Sequence, residues 1–110
     1  MIIIDSDTNN ITMIKKDTAS LEIAVDNYTL TSGDRVTLTI DREVENETPL
    51  RQIVVTDFTK DGVAIINLSS QDTDLEIGSY KYDIQINTAD GRVDTIVGPA
   101  RFKVIGGVTY

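Results

Sequence analysis

Leu75-Glu76-Ile77-Gly78-Ser79-Tyr80-Lys81-Tyr82-Asp83-Ile84-Gln85-Ile86-Asn87 carries the plainest structural message in the chain. Tyr80, Tyr82, Ile84 and Ile86 alternate with Lys81, Asp83, Gln85 and Asn87. A period of two places one face of a strand in a core and the other in water. The residues before the strand add a second message. A Leu that closes a short turn, then Gly, then Tyr on the next strand is how a Greek-key sandwich turns the corner between its sheets. Leu75, Gly78, Tyr80 and Tyr82 are therefore read as a structural corner, with one Tyr hydroxyl bonding back to upstream backbone. The plainer reading is two core aromatics on an alternating strand.

The same alternation recurs on both sides. Leu21, Ile23 and Val25 share one face of Ser20–Val25, and Val36, Leu38 and Ile40 alternate with Thr37, Thr39 and Asp41. Val, Ile and Thr dominate, as half-buried pleated surfaces favour. Turn residues fall every ten to fifteen residues or so, the spacing of an all-β sandwich. Ser32-Gly33-Asp34 precedes one strand, Asp61-Gly62 separates Arg51–Phe58 from Val63–Leu68, and Asp90-Gly91 separates Tyr80–Thr88 from Arg92–Val97. Asp-Gly pairs tolerate the positive φ that tight hairpins demand. A two-residue loop at Asp90-Gly91 predicts Thr88 opposite Val93, Ile86 opposite Thr95 and Ile84 opposite Val97. Ile53-Val54-Val55 offers apolar side chains to both faces, which predicts a central strand covered on both sides.

Three segments depart from the pattern. Glu43, Glu45 and Glu47 ahead of Pro49 read as an exposed acidic loop. Ser69–Glu76 reads as one short helical turn, capped by Ser69 or Ser70 with Asp72 near its positive end. Gly98-Pro99 interrupts the last strand and marks an edge, a bulge or a strand changing sheets. Beyond it Ala100, Phe102 and Val104 share one side. No window has helical period over a full helix. Residues 1–10 read as a flexible arm, 11–105 as the domain and 106–110 as a tail.

Composition narrows function by exclusion. The 110 residues hold no Cys and no His, which removes disulfides, thiolate nucleophiles, His bases and zinc sites built on either residue. Ten basic against 18 acidic residues give a net charge of −8. That charge, with no basic patch, argues against nucleic acid as a partner. Met1–Asp5 does not read as a signal peptide, and no apolar window is long enough to span a membrane. There is no Gly-rich phosphate loop, no nucleophile elbow and no Trp. The chain is expected not to be an enzyme, to need no cofactor and to take no small-molecule substrate. Asp72, Asp74 and Glu76 alternate as Ca²⁺ ligands do, but without the central Gly and distant Glu of a calcium loop. They read more simply as a solvated turn.

The longer pattern resembles a known family. It is carried by Ile11-Thr-Met-Ile-Lys-Lys-Asp17-Thr18, Ala64-Ile-Ile-Asn-Leu68-Ser-Ser-Gln-Asp72-Thr73, Gly78-Ser-Tyr80-Lys-Tyr82-Asp83-Ile84, Asp90-Gly91-Arg-Val93-Asp-Thr95-Ile96 and Phe102-Lys-Val104. These stretches resemble the small immunoglobulin-like modules of bacteriophages and prophages, most of all the N-terminal domain of phage baseplate upper proteins. The resemblance implies an immunoglobulin-like antiparallel Greek-key β-sandwich of about seven or eight strands, with one short helical turn. It implies a non-enzymatic virion structural protein of baseplate, tail or capsid surface, made in the host cytoplasm and working by protein–protein contacts. Its partners would be other virion proteins and itself. The apolar residues Ile2, Ile3, Ile4, Val108 and Tyr110 in the terminal segments are the expected assembly contacts. Two other functions fit the composition: a small acidic phage-encoded inhibitor of a host protein, and an immunoglobulin-like adhesive or carbohydrate-binding module.

Overall fold

The computed structural model describes residues 2–42 and 49–108. Glu43, Glu45, Glu47 and Tyr110 lie outside the described residues. The strands are β1 (Ile2–Ile4), β2 (Ile11–Ile14), β3 (Ala19–Ile23), β4 (Arg35–Arg42), β5 (Arg51–Val55), β6 (Ala64–Leu68), β7 (Gly78–Asn87) and β8 (Val93–Ile105). No helix forms among the described residues. The fold is all-β. A six-stranded sheet in the order β1-β2-β8-β7-β4-β5 faces a two-stranded sheet, β3-β6.

Alternation builds the core. Val36, Leu38 and Ile40 of β4 are fully buried, and their cross-strand partners on β7 are Ile86, Ile84 and Tyr82. Leu21 of β3 and Ala64, Ile66 and Leu68 of β6 close over them from the other sheet. Phe102 and Val104 of β8 and Ile11 and Met13 of β2 extend the same cluster. Tyr82 and Phe102 meet edge to face, with centroids 6.2 Å apart. Each fully buried aliphatic or Phe side chain stabilises by about 1.5–3 kcal/mol.

Several expectations need correction. Asp61-Gly62 is not a hairpin between neighbours. The Gly62 amide does donate to the Thr59 carbonyl at 2.8 Å, but β5 pairs with β4 and β6 pairs with β3. The turn carries the chain from one sheet to the other, a choice that turn chemistry does not encode. β5 is consequently an edge strand, with Val54 49% exposed, and is not covered on both faces. The sandwich is also not wholly antiparallel. β2 runs parallel to β8, with Ile11 opposite Phe102 and Met13 opposite Val104. Parallel partners lie far apart in sequence and leave no local mark. Residues 2–10 are not a loose arm, because Ile2–Ile4 pair with β2 and the Asp5 amide donates to the Asn10 carbonyl at 2.9 Å. Val25 lies past the end of β3 and bridges back to Tyr28.

The register at Asp90-Gly91 also differs. Asn87, not Thr88, faces Val93, and Gln85 faces Thr95. The loop is wider than two residues because the Thr88 amide donates to the Arg92 carbonyl, while the Gly91 amide donates to the Thr88 carbonyl. Ile84 does face Val97, but only after a register shift. A second shift lies between Ile84 and Tyr82, at Gly98-Pro99, whose peptide bond is cis. The interruption is a bulge inside β8. Gly98 has φ +89°, and a Cβ there would stand 2.7 Å from the Tyr82 carbonyl oxygen. Only glycine fits this close approach without strain.

Gly98→Ala is expected to lower stability by about 1–3 kcal/mol, measured by urea unfolding, through the disfavoured φ and the clash. Phe102→Ala should cost about 3–5 kcal/mol from the emptied core.

Candidate interaction surfaces

Sheet edges are the first feature. β1 and β5 close the two ends of the six-stranded sheet, and both rims of the two-stranded sheet are unpaired among the described residues. At the first end Ile3 and Ile4 are 54% and 47% exposed. Ile4 faces the same side as buried Ile11, yet remains open because two strands cannot roof six. Ile3 shares the outer face with its partner Thr12. At the other end Val54 points outward beside exposed Gln52. Val108, expected as a contact residue, is fully exposed just beyond β8.

Asp34 is the feature that sequence reasoning missed. It is 2% exposed, and both carboxylate oxygens accept hydrogen bonds. The Tyr28 hydroxyl (2.8 Å) and Thr31 amide (2.9 Å) donate to Oδ2, and the Ala89 amide (2.9 Å) donates to Oδ1. One side chain thus ties the β3–β4 connection to the tip of the β7–β8 hairpin. The bond from the Thr31 amide, followed by those from Tyr28 and Ala89, holds the carboxyl below the usual carboxylate range. The bond to Asp34, more than burial, pushes the Tyr28 phenol up. The sequence marked the turn at Ser32-Gly33-Asp34, but nothing local says that its Asp faces inward. At the hairpin tip Asp90 accepts the Thr88 hydroxyl, which lowers its pKa, and Arg92 pairs with Asp94 at 2.9 Å.

At the corner the Tyr80 hydroxyl donates to the Glu76 carbonyl at 2.6 Å, four residues upstream. The Tyr82 hydroxyl donates instead to the Asn9 carbonyl, pinning the β1–β2 turn onto β7. Burial raises both phenols. Leu75 is buried, and Gly78 opens β7. The Ser69–Glu76 turn is capped reciprocally, since the Ser69 amide donates to Asp72 Oδ2 and the Asp72 amide donates to Ser69 Oγ. Asp74 pairs with Lys15 at 3.6 Å. Asp72, Asp74 and Glu76 do not converge, and no group of three potential metal ligands forms among the described residues.

A depression of about 350 Å3 on the outer face of β4, β5 and β7 is floored by Thr37, Thr39, Gln52, Asp83, Gln85 and Asn87. Its hydroxyls, amides and carboxylate offer hydrogen bonds but no aromatic platform for a sugar ring. Among the described residues the two carboxyls with shifted pKa, Asp34 and Asp90, both move down. That is the opposite of what a general acid at neutral pH requires.

Removing the Asp34 charge tests its clasp. The lowered folded pKa means its contribution is complete above the ordinary value of about 3.9 and is lost as pH falls through the folded value. Asp34→Asn is expected to lower the urea midpoint at pH 7 and to flatten the acid limb of the stability profile. Tyr28 should then ionise at lower pH in that variant, read by ultraviolet titration against Tyr28→Phe. In Tyr80→Phe the lost bond to Glu76 should cost about 0.5–1.5 kcal/mol of unfolding free energy.

Comparison with protein-family models, with curated proteins and with solved structures finds no match to this chain.

Proposed function

We propose that this chain is a non-enzymatic immunoglobulin-like structural module of a phage or prophage particle, acting through protein–protein contacts. The observation that carries the reading is the pair of open edges on the six-stranded sheet. Natural sheets blunt such edges with Lys, Pro or charged side chains that point inward. Here β5 carries Arg51 on the core-facing side opposite Ile40 and of its apolar residues leaves only Val54 half exposed, whereas Ile2–Ile4 contain no Lys, Pro or charge, and Ile3 and Ile4 are about half exposed. An edge of that kind fits strand addition by a partner.

Further features favour the immunoglobulin-like part of the reading. β3 leaves the large sheet for the small one, β4 and β5 return, β6 leaves again and β7 and β8 return. Such crossings between sheets support a Greek-key reading. A Tyr that bonds upstream backbone at the entry to β7 fits the same reading as a tyrosine corner.

Mass spectrometry of purified particles from the source phage or induced prophage tests the proposal. The chain is expected in the particle at a fixed copy number. Abundance in infected cells with absence from particles would overturn the structural role and favour the acidic inhibitor.

A further inference from the structure

We infer that β1 is a self-pairing edge: two copies join Ile2–Ile4 to Ile2–Ile4, antiparallel about a two-fold axis at Ile3. The inference deepens the reading of open strand edges as contact sites and rests on it.

The backbone sets the register. In an antiparallel ladder alternate residues bond to the neighbouring strand, and those between them point their N–H and C=O groups the other way. The Asp5 amide donates to the Asn10 carbonyl, so Asp5 and Ile3 face β2. Ile2 and Ile4 therefore present their backbone groups to the open edge. In a two-fold pair centred on Ile3, Ile2 of one copy lies opposite Ile4 of the other. The outward-pointing residues meet one another, and both pairs can exchange N–H···O=C bonds. Ile3 meets Ile3 as the non-hydrogen-bonded pair, where Cα atoms approach to about 4.5 Å and side chains touch most closely. Ile3 is the more exposed residue of the strand.

Side chains and charge agree with that register. Three consecutive isoleucines read the same in both directions, so every position meets its own kind. The acidic turn Asp5–Asp7 follows the strand, and an antiparallel pair sends the two Asp5 carboxylates to opposite ends, about 13 Å apart at 3.3 Å per residue. A parallel pair would set them side by side. Size and net charge make the contact conditional. A stable dimer needs about 800 Å2 per partner, and a three-residue edge provides far less, so Kd is expected on the order of 0.1–1 mM. Each copy carries −8, and the mutual repulsion is screened as salt shortens the Debye length from about 10 Å at 0.1 M to about 3 Å at 1 M. Repetition in a particle would raise the effective concentration without new contacts.

Analytical ultracentrifugation of the full chain over a concentration and salt series tests the inference. The 12.1 kDa monomer is expected at low salt, and association should strengthen about tenfold or more by 1 M NaCl. Ile3→Lys should weaken association at least about tenfold by setting like charges across the axis. Val54→Lys changes net charge equally at the opposite edge and should associate as the wild type does. Hydrogen exchange on the wild type adds a readout independent of any variant. The Ile4 amide should gain protection with concentration, while the Ile3 amide, already bonded to β2, should not. A monomer under all conditions, association that falls as salt rises, equal effects of the two substitutions, or an Ile4 amide indifferent to concentration would overturn the self-pairing. A monomer in solution that is still found in particles would sink the self-pairing alone and leave the structural role standing.

Discussion

Val93–Ile105 has to match two neighbours at once, and the rest of the large sheet follows from how it does so. It runs antiparallel to β7 along nearly its whole length and parallel to β2 at its end. Twelve residues from Val93 to Val104 oppose ten from Gly78 to Asn87, so two must be absorbed, and two register shifts absorb them. After the second shift, Phe102 and Val104 face the core in step with Ile11 and Met13. Each one-residue shift flips the facing of β8, so the first turns Val97 to the side of its partner Ile84 and the second restores the alternation that keeps Ala100 and Phe102 opposite Tyr82 and Tyr80. Gly98 makes the shift possible by letting the chain pass close to the Tyr82 carbonyl. β1 then depends on β2, and β2 on β8.

At the other extreme of the sandwich a single carboxylate performs a comparable task by polar means. Asp34 satisfies donors from the β3–β4 connection and from the β7–β8 hairpin. A buried carboxylate is costly when unpaired. Here it has enough donors that its charged form is favoured, which is why its pKa falls despite its low exposure. The Tyr82–Asn9 bond plays the matching part for the β1–β2 turn. The loops are held by specific long-range bonds, and the strands by burial.

The unequal sheets account for the surface. Two strands roof the middle of six, which leaves the flanks of the larger sheet half open at Ile4 and at Ile53 and Val55. Part of the apolar exposure, at Ile3, Ile4 and Val54, therefore falls on the edge strands β1 and β5, and the rest lies at Ile77, Val93 and Val108. The strongly negative charge works against non-specific association of those edges. That balance of open edge and charge is what makes the proposed pairing of β1 depend on salt.

The sequence by itself determined the class of fold and most of the core. Val36, Leu38, Ile40, Tyr82, Ile84 and Ile86 were legible because strand periodicity is a local property, read within a few residues. The Asp-Gly turns and the interruption at Gly98-Pro99 were legible for the same reason. The proposed contact residues were legible only as apolar residues in the terminal segments, without the sheet edge on which Ile2–Ile4 lie. Tertiary structure alone decided that β5 and β6 part company, that β2 lies parallel to β8, that Asp34 points inward, and where each register begins. These features depend on partners distant in the chain. Their energies arise from which surfaces meet after collapse, and the pattern of neighbouring residues does not contain that information.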